Sequence, residues 1–236
     1  MSSFATANLN THSSYEARPS RLSKITLPNY TLGEERLNSL THAAGALFGA
    51  VALVMCLTAA KSAWAIAGSI IYGVALMLLY SVSATYHAMR EEKKKKFMRV
   101  VDHCTIYLLI AGTYTPILFE AIRPVSAKWA WIIFGIVWGL AVIAATLTAL
   151  DMKKYSKFSM ACYIGMGWSI LIAWDTAVAA MDTAGLVLLV GGGVVYTLGA
   201  AVYGIGKKHR YIHSLFHVFV LGGTVLQFLC IYLYVL

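Results

Sequence analysis

Long apolar runs separated by short polar breaks are the dominant pattern of this sequence. Seven continuous runs of 20 to 24 residues lie at 41–60, 64–87, 102–121, 129–150, 158–180, 185–206 and 213–236. A helix that crosses a hydrocarbon core of about 30 Å needs roughly 20 such residues, whereas a strand of a membrane barrel alternates over about ten. The pattern therefore predicts an all-α polytopic membrane protein, a bundle of seven transmembrane helices.

Composition supports lipid as the solvent. The 236 residues include 19 Lys+Arg and 10 Asp+Glu, so charged residues make up 12% of the chain and hydrophobic residues 59%. Soluble domains carry about 25% charged residues, and a soluble fold of this size leaves roughly a quarter to a third of its unfolded surface exposed. These values exclude a water-soluble enzyme, a disordered chain and a disulfide-stapled secreted module.

Positive charges orient the predicted bundle. Alternate sides of the seven spans carry 16 and 3 Lys+Arg residues, and the positive-inside rule places the richer side in the cytoplasm. We therefore expect the N-terminus inside and the C-terminus outside. The run Lys93–Lys96 is interpreted as a topogenic stop, and the net charge of +9 follows from this bias, so no nucleic-acid partner is expected.

The N-terminal segment differs from the rest of the chain. Residues 1–30 are rich in Ser, Thr and Asn and contain no apolar stretch typical of a signal peptide. We predict a disordered tail over 1–30 and one membrane domain over 31–236. Within that domain, Gly45 with Gly49 and Gly135 with Gly139 predict close helix contacts, and Pro116 predicts a kink.

Ionisable groups inside a span are functional candidates. The topology places His42, His87, Asp102, His103, His213 and His217 at one level, near the inner ends of their spans. His213 and His217 stand four residues apart and share a helix face, which is a common half of a zinc site. His87 supplies a third nitrogen from another span. Three imidazoles would leave a fourth position for water, as in catalytic zinc sites.

Two further side chains complete a possible catalytic group at this level. Asp102 can hold or deprotonate a metal-bound water, and Ser83, one turn before His87, can donate to an oxyanion. Histidines at span ends are also common as simple interfacial residues. A bis-histidine haem held by His87 and His213 or His217 stays open. A retinal Schiff base is excluded because no lysine lies inside a predicted span.

From about residue 30 to the end, the chain resembles the hemolysin III proteins. These are the bacterial branch of the adiponectin-receptor-like (progestin and adipoQ receptor) family, which is related to alkaline ceramidases. The similar motifs are Glu35-x-x-Asn38-x-x-x-His42, Ser83-x-x-x-His87, the stretch from Asp102 to Pro116, Gly165-Met-Gly-Trp168, residues 192–199 and His213-x-x-x-His217.

The resemblance implies seven helices with an inside N-terminus and an intramembrane zinc site near the cytoplasmic face of a bacterial inner membrane. It implies zinc ligation by His87, His213 and His217, with Asp102 acting through the bound water. Glu35, Asn38 and His42 are interpreted as a supporting network.

Three functions remain in view. The first is a zinc-dependent hydrolase of an amide or ester in a membrane lipid, which would be its partner and substrate. The second is a non-enzymatic sensor of membrane state with a structural zinc ion, and the third is a cytolytic pore.

Overall fold

The computed structural model describes residues 21–205 and 209–236, and within these ranges the chain is helical with no strand. A 3-10 turn at Arg21–Lys24 comes first. The helices are α1 (Leu32–Ala59), α2 (Ala63–Ala88), α3 (Glu92–Pro116), α4 (Arg123–Val125), α5 (Ala127–Leu150), α6 (Ser156–Gly167), α7 (Trp174–Ala180), α8 (Thr183–Ile205) and α9 (Ile212–Tyr234). The all-α prediction is confirmed over this part of the chain.

Within the described residues, six helices are long and apolar enough to cross a membrane, and a bent pair of helices raises the number to seven if it counts as one span. Long helices also present large apolar side chains outward: on α1, Leu40, Leu47 and Val54 are 69%, 70% and 61% exposed. Soluble monomeric proteins rarely expose an apolar surface of this extent to water. The chain is therefore an integral membrane protein.

Two helices begin earlier than the apolar runs predict. α1 starts at Leu32 rather than 41 because Thr31 and Glu34 form a reciprocal capping box, in which each side chain binds the other residue's backbone N–H. α3 starts at Glu92 rather than 102, since ion pairs such as Lys96–Glu92 extend a solvated first turn of helix. In both cases the charged first turns of the helix lie outside the apolar run.

The third span continues beyond its apolar run. α3 passes directly after Pro116 into a π-helical stretch, Ile117–Ile122, and then into α4, so the helical path reaches Val125. Proline removes a backbone donor and crowds the turn before it, whereas the π-helical stretch follows Pro116. The structure therefore shows a change of winding after Pro116 within one span, and the kink at this residue stays a prediction.

The fifth predicted span, 158–180, is broken. α6 ends at Gly167, a 3-10 turn covers Ser169–Ala173, and α7 follows at an angle of 40°. The hydroxyl of Tyr114 on α3 fills the break, donating to the Gly167 carbonyl (2.7 Å) and accepting from the Ile170 N–H (3.0 Å). The backbone groups freed by the break thus find a partner from a neighbouring helix.

Helix packing places the first and the last long helix side by side. α1 packs against α2 and α9, α2 against α3, α3 against α5, and α8 against α9. A Cβ at Gly45 would clash with the Tyr80 ring, so the predicted close contact at this glycine is confirmed. The same prediction is wrong for Gly135 and Gly139, where nothing from another helix of the described chain lies within 4 Å of a Cβ.

The predicted tail falls largely outside the described residues, which start at residue 21. The described part ends close to the helices: Arg99 on α3 donates to the Thr26 carbonyl, and the Tyr30 ring stacks on His213. The segment before α1 therefore crosses the end of the bundle at which α1 and α9 begin and α2 ends.

Candidate metal centre

Three histidines from two helices converge at this end of the bundle. His87 lies in the last turn of α2, and His213 and His217 lie on one face at the start of α9. The Nε2 atom of His213 is 3.3 Å from Nε2 of His87 and 3.1 Å from Nε2 of His217. One ring nitrogen from each residue lies within 4.8 Å of the other two, so the predicted trio is brought together.

The partners of the other ring nitrogens fix how these imidazoles point. Nδ1 of His87 faces a carboxylate oxygen of Glu35 at 2.7 Å, and Nδ1 of His217 faces the backbone carbonyl of Asn38 at 3.3 Å. Both partners only accept, so both Nδ1 atoms carry the hydrogen and both Nε2 atoms present lone pairs. His213 can donate to only one of them, which leaves an unsatisfied lone pair in the group.

A single cation between the three nitrogens resolves this arrangement. Nitrogens about 2.0–2.1 Å from a tetrahedral zinc ion stand about 3.3 Å apart, which matches the observed 3.1 and 3.3 Å. Two haem-axial imidazoles would instead lie on opposite faces of a macrocycle. Because Nε2 of His213 lies next to Nε2 of both other histidines and the three ligand atoms lie within 4.8 Å of one another, the geometry fits one metal ion rather than a bis-histidine haem.

Glu35 and Asn38 hold the ligands from α1. Glu35 Oε2 accepts from His87, and its Oε1 accepts from Lys95 Nζ at 2.6 Å. Asn38 is fully buried, and its Oδ1 accepts from Ser214 Oγ at 2.6 Å. A carboxylate and a carbonyl behind two ligating imidazoles are typical outer-shell partners of a metal site, so both residues lie where a supporting network requires them.

His42 lies beside the centre rather than in it. Its ring stacks on His217, with centroids 3.6 Å apart and 13° between planes, and meets Tyr80 edge-on. The residue is 3% exposed, and neither ring nitrogen has a hydrogen-bond partner among the described residues. It packs one ligand in place, and its free nitrogens lie close to the metal-binding group.

Asp102 and Ser83 line the same cavity as His213 and His217. Ser83 is 2% exposed, and the Asp102 side chain is 14% exposed. Among the described residues, neither side chain makes a hydrogen bond to the three histidines. His103 also lines this cavity, and its Nδ1 donates to the Arg99 carbonyl at 2.9 Å and lies 3.8 Å from Asp102.

An elongated cavity leads away from the histidines into the bundle. It follows α3 from Asp102 to Ile117, which corresponds to about 22 Å of helix. α6, α8 and α9 contribute most of the remaining walls, largely with apolar and aromatic side chains such as Ile164, Phe216 and Val220. The centre therefore opens onto a long apolar space at membrane depth.

Three residues that contact the centre were not predicted from the sequence. Ser214 sits inside the His213-x-x-x-His217 motif, so its position was a usable signal. Lys95 was hidden within a lysine run interpreted only as topogenic. Tyr30 stacks on His213, with centroids 5.0 Å apart and 13° between planes, and nothing in its local sequence indicates this. Burial raises the pKa of the Tyr30 hydroxyl, so that hydroxyl stays neutral over the site.

Comparison with known proteins agrees with this architecture. A sequence model described as "Haemolysin-III related" matches residues 30–228. The chain belongs to the haemolysin-III related family. The resemblance noted from the motifs is thereby confirmed, and it covers all the helices that build the centre.

Relatives in the haemolysin-III family align over most of their length. Hemolysin-3 of Bacillus cereus is 35% identical over 216 residues, covering 90% of this chain and 97% of the relative. A Hemolysin-3 homolog of Bacillus subtilis (strain 168) is 36% identical over 208 residues, covering 87% and 96%. The human monocyte to macrophage differentiation factor is a distant relative, 26% identical over 212 residues, covering 86% and 85%.

Proposed function

We propose that the protein is a zinc-dependent hydrolase that cleaves an amide or ester bond in a membrane lipid. One observation carries the proposal: the three-histidine group opens onto a long apolar cavity whose wall also contains a carboxylate and a hydroxyl. Hydrolysis at a metal requires donors for the ion, a group that handles a proton and a dry shaped cavity. All three occur together at this end of the bundle.

His87, His213 and His217 would hold the ion through their Nε2 atoms. Glu35 and the Asn38 carbonyl keep the hydrogen of His87 and His217 on Nδ1, which leaves Nε2 free to ligate. When bound there, zinc activates water and polarises a carbonyl oxygen. The apolar cavity positions a lipid chain so that its carbonyl end reaches the histidines, and it excludes bulk water from the site.

Asp102 is the proton-handling group in this proposal. Its carboxylate takes a proton from the attacking water and passes it to the leaving amine or alkoxide. The Ser83 hydroxyl donates to the substrate carbonyl oxygen as negative charge develops on it. Both residues line the cavity that His213 and His217 also line.

The proposal includes orientation and location. The excess of 16 Lys+Arg over 3 on alternate sides supports a cytoplasmic N-terminus, an external C-terminus and a zinc site near the cytoplasmic face. The Bacillus relatives support a bacterial plasma membrane as the location. Imidazole ligands also bind copper, iron and nickel, so the experiment first measures which ion the protein carries.

The test combines metal analysis with a lipid assay on purified full-length protein. We expect about one zinc per chain in the wild type, none in His213→Ala, and unchanged zinc content in Asp102→Asn. Incubation with bacterial lipid extract and ceramide, read by mass spectrometry, should give a released fatty acid only with the wild type. Zinc-free wild-type protein, or full turnover by Asp102→Asn, would refute the mechanism.

The same samples separate the other two functions. A sensor with structural zinc would lose thermal stability on chelation yet release no product from any lipid. A cytolytic pore would make reconstituted liposomes leak a trapped dye. Under the proposed function, the liposomes stay tight and a product accumulates.

A further inference from the structure

A second cavity lies on the other side of the three-histidine group. His213 and His217 line the apolar cavity, whereas His87 lines this second one, together with Arg36, Arg90, Lys95 and Glu35. We call it the basic vestibule. It has a volume of about 650 Å³, so the metal-binding group stands between a long apolar space and a polar one.

The vestibule carries uncompensated positive charge. Both oxygens of its carboxylate are engaged, Oε1 of Glu35 by Lys95 and Oε2 by His87. Arg36 and Arg90 are exposed, and over residues 21–205 and 209–236 neither has an ion-pair or hydrogen-bond partner. Two free guanidinium groups thus face a concave space, and planar, bidentate recognition of phosphate oxygens is the chemistry they are suited to.

The residues at the rim of the vestibule indicate whether a ligand enters from the membrane or from water. Leu32 and Leu40 line it and are 55% and 69% exposed. Exposed leucines beside arginines at the end of a transmembrane helix are typical of the boundary between lipid chains and headgroups. The vestibule therefore opens at headgroup level, which favours a lipid over a soluble phosphate.

We propose that the basic vestibule binds the phosphate of an anionic lipid headgroup through Arg36 and Arg90. The chain of the same lipid lies in the apolar cavity, and the bond between chain and headgroup lies at the histidines. The inference rests on the proposed function and narrows its substrate class to phosphate-bearing amphiphiles. Neutral lipids lack the group that the two arginines recognise.

The test compares two lipids that differ only in the phosphate. Dioctanoyl phosphatidic acid and dioctanoylglycerol are titrated in detergent against full-length Asp102→Asn protein, and binding is measured by thermophoresis while mass spectrometry checks that the lipid stays intact. We expect about tenfold tighter binding of the phosphate-bearing lipid, a size typical of charge-assisted contacts at a partly exposed site. Arg36→Gln with Arg90→Gln should abolish this preference.

A matched control removes the same number of positive charges outside the vestibule. Lys93→Gln with Lys153→Gln changes two exposed cations outside the vestibule and should leave the preference intact. No preference in the parent protein, or a preference that survives loss of both arginines, would overturn the proposal. Glycerol 3-phosphate should compete only weakly; full competition by it would overturn the lipid assignment and leave a soluble phosphate ester as the ligand.

These experiments distinguish a failure of the binding proposal from a failure of the hydrolase proposal. A protein without zinc or turnover that still prefers the phosphate-bearing lipid would refute the hydrolase and retain the vestibule. A protein that hydrolyses lipid but shows no preference for the phosphate-bearing lipid would refute the vestibule proposal and retain the hydrolase. The inference is thus tested independently of the reaction on which it builds.

Discussion

Glu35→Gln is the sharpest single test of the metal centre. Glu35 spans two partners, His87 Nδ1 at 2.7 Å and Lys95 Nζ at 2.6 Å, and both partners donate. A glutamine has one accepting oxygen, so one of the two contacts is lost and an amide N–H₂ faces a donor. Loss of an outer-shell partner typically lowers metal affinity about 10–100-fold, which corresponds to about 1.4–2.7 kcal/mol.

The measurement is a zinc titration against a competing chelator on purified protein. Glu120→Gln serves as the control, because Glu120 makes an equally short contact with Ser62 Oγ (2.7 Å) at the start of α2, remote from the histidines. We expect weaker zinc binding in Glu35→Gln and wild-type affinity in Glu120→Gln. Equal affinities in all three proteins would refute the argument that Glu35 orients His87.

Two stability predictions follow from packing. Gly45→Ala should lower the free energy of unfolding by about 1–3 kcal/mol, since its Cβ would clash with the Tyr80 ring. Gly135→Ala places its Cβ in open space among the described residues and should not destabilise the protein, because alanine favours a helix more than glycine does. Thermal unfolding in detergent compares the two variants, and equal losses of stability would contradict the contact. Tyr114→Phe should cost about 1–3 kcal/mol because the Gly167 carbonyl and Ile170 N–H lose their partner; an unchanged melting temperature would show that the break is satisfied otherwise.

Most of the helical architecture was predictable because the bilayer imposes a length and a composition on each span. α2, α5 and α8 begin and end within a few residues of their apolar runs. The starts of α1 and α3 were not predictable in this way, since a helix can extend into water when a cap or ion pairs support it. The break at Trp168 was not predictable either, because no charged residue and no proline interrupts the apolar run at that point.

The metal centre was predictable in its ligands and less so in its surroundings. Spacing identified His213 with His217, and topology placed His87 at the same depth, as the structure has it. The proximity of Glu35 and Asn38 came only through the family resemblance, because contacts such as Asn38 with Ser214 join residues 176 positions apart. The roles of Asp102 and Ser83 stay predictions until turnover is measured.

The position of α1 explains why the centre requires the whole bundle. Asn38 lies between the other two helices: its Nδ2 is 3.5 Å from His87 Nδ1 on α2, and its Oδ1 and backbone oxygen accept from Ser214 and His217 on α9. The ligands come from helices 126 positions apart in sequence, so an ion held by them links the second helix to the last. Because such sites do not exist in the unfolded chain, the binding free energy of the ion adds to the stability of the assembled bundle. A metal at this centre would therefore close the bundle and prepare the cavity for its ligand in one step.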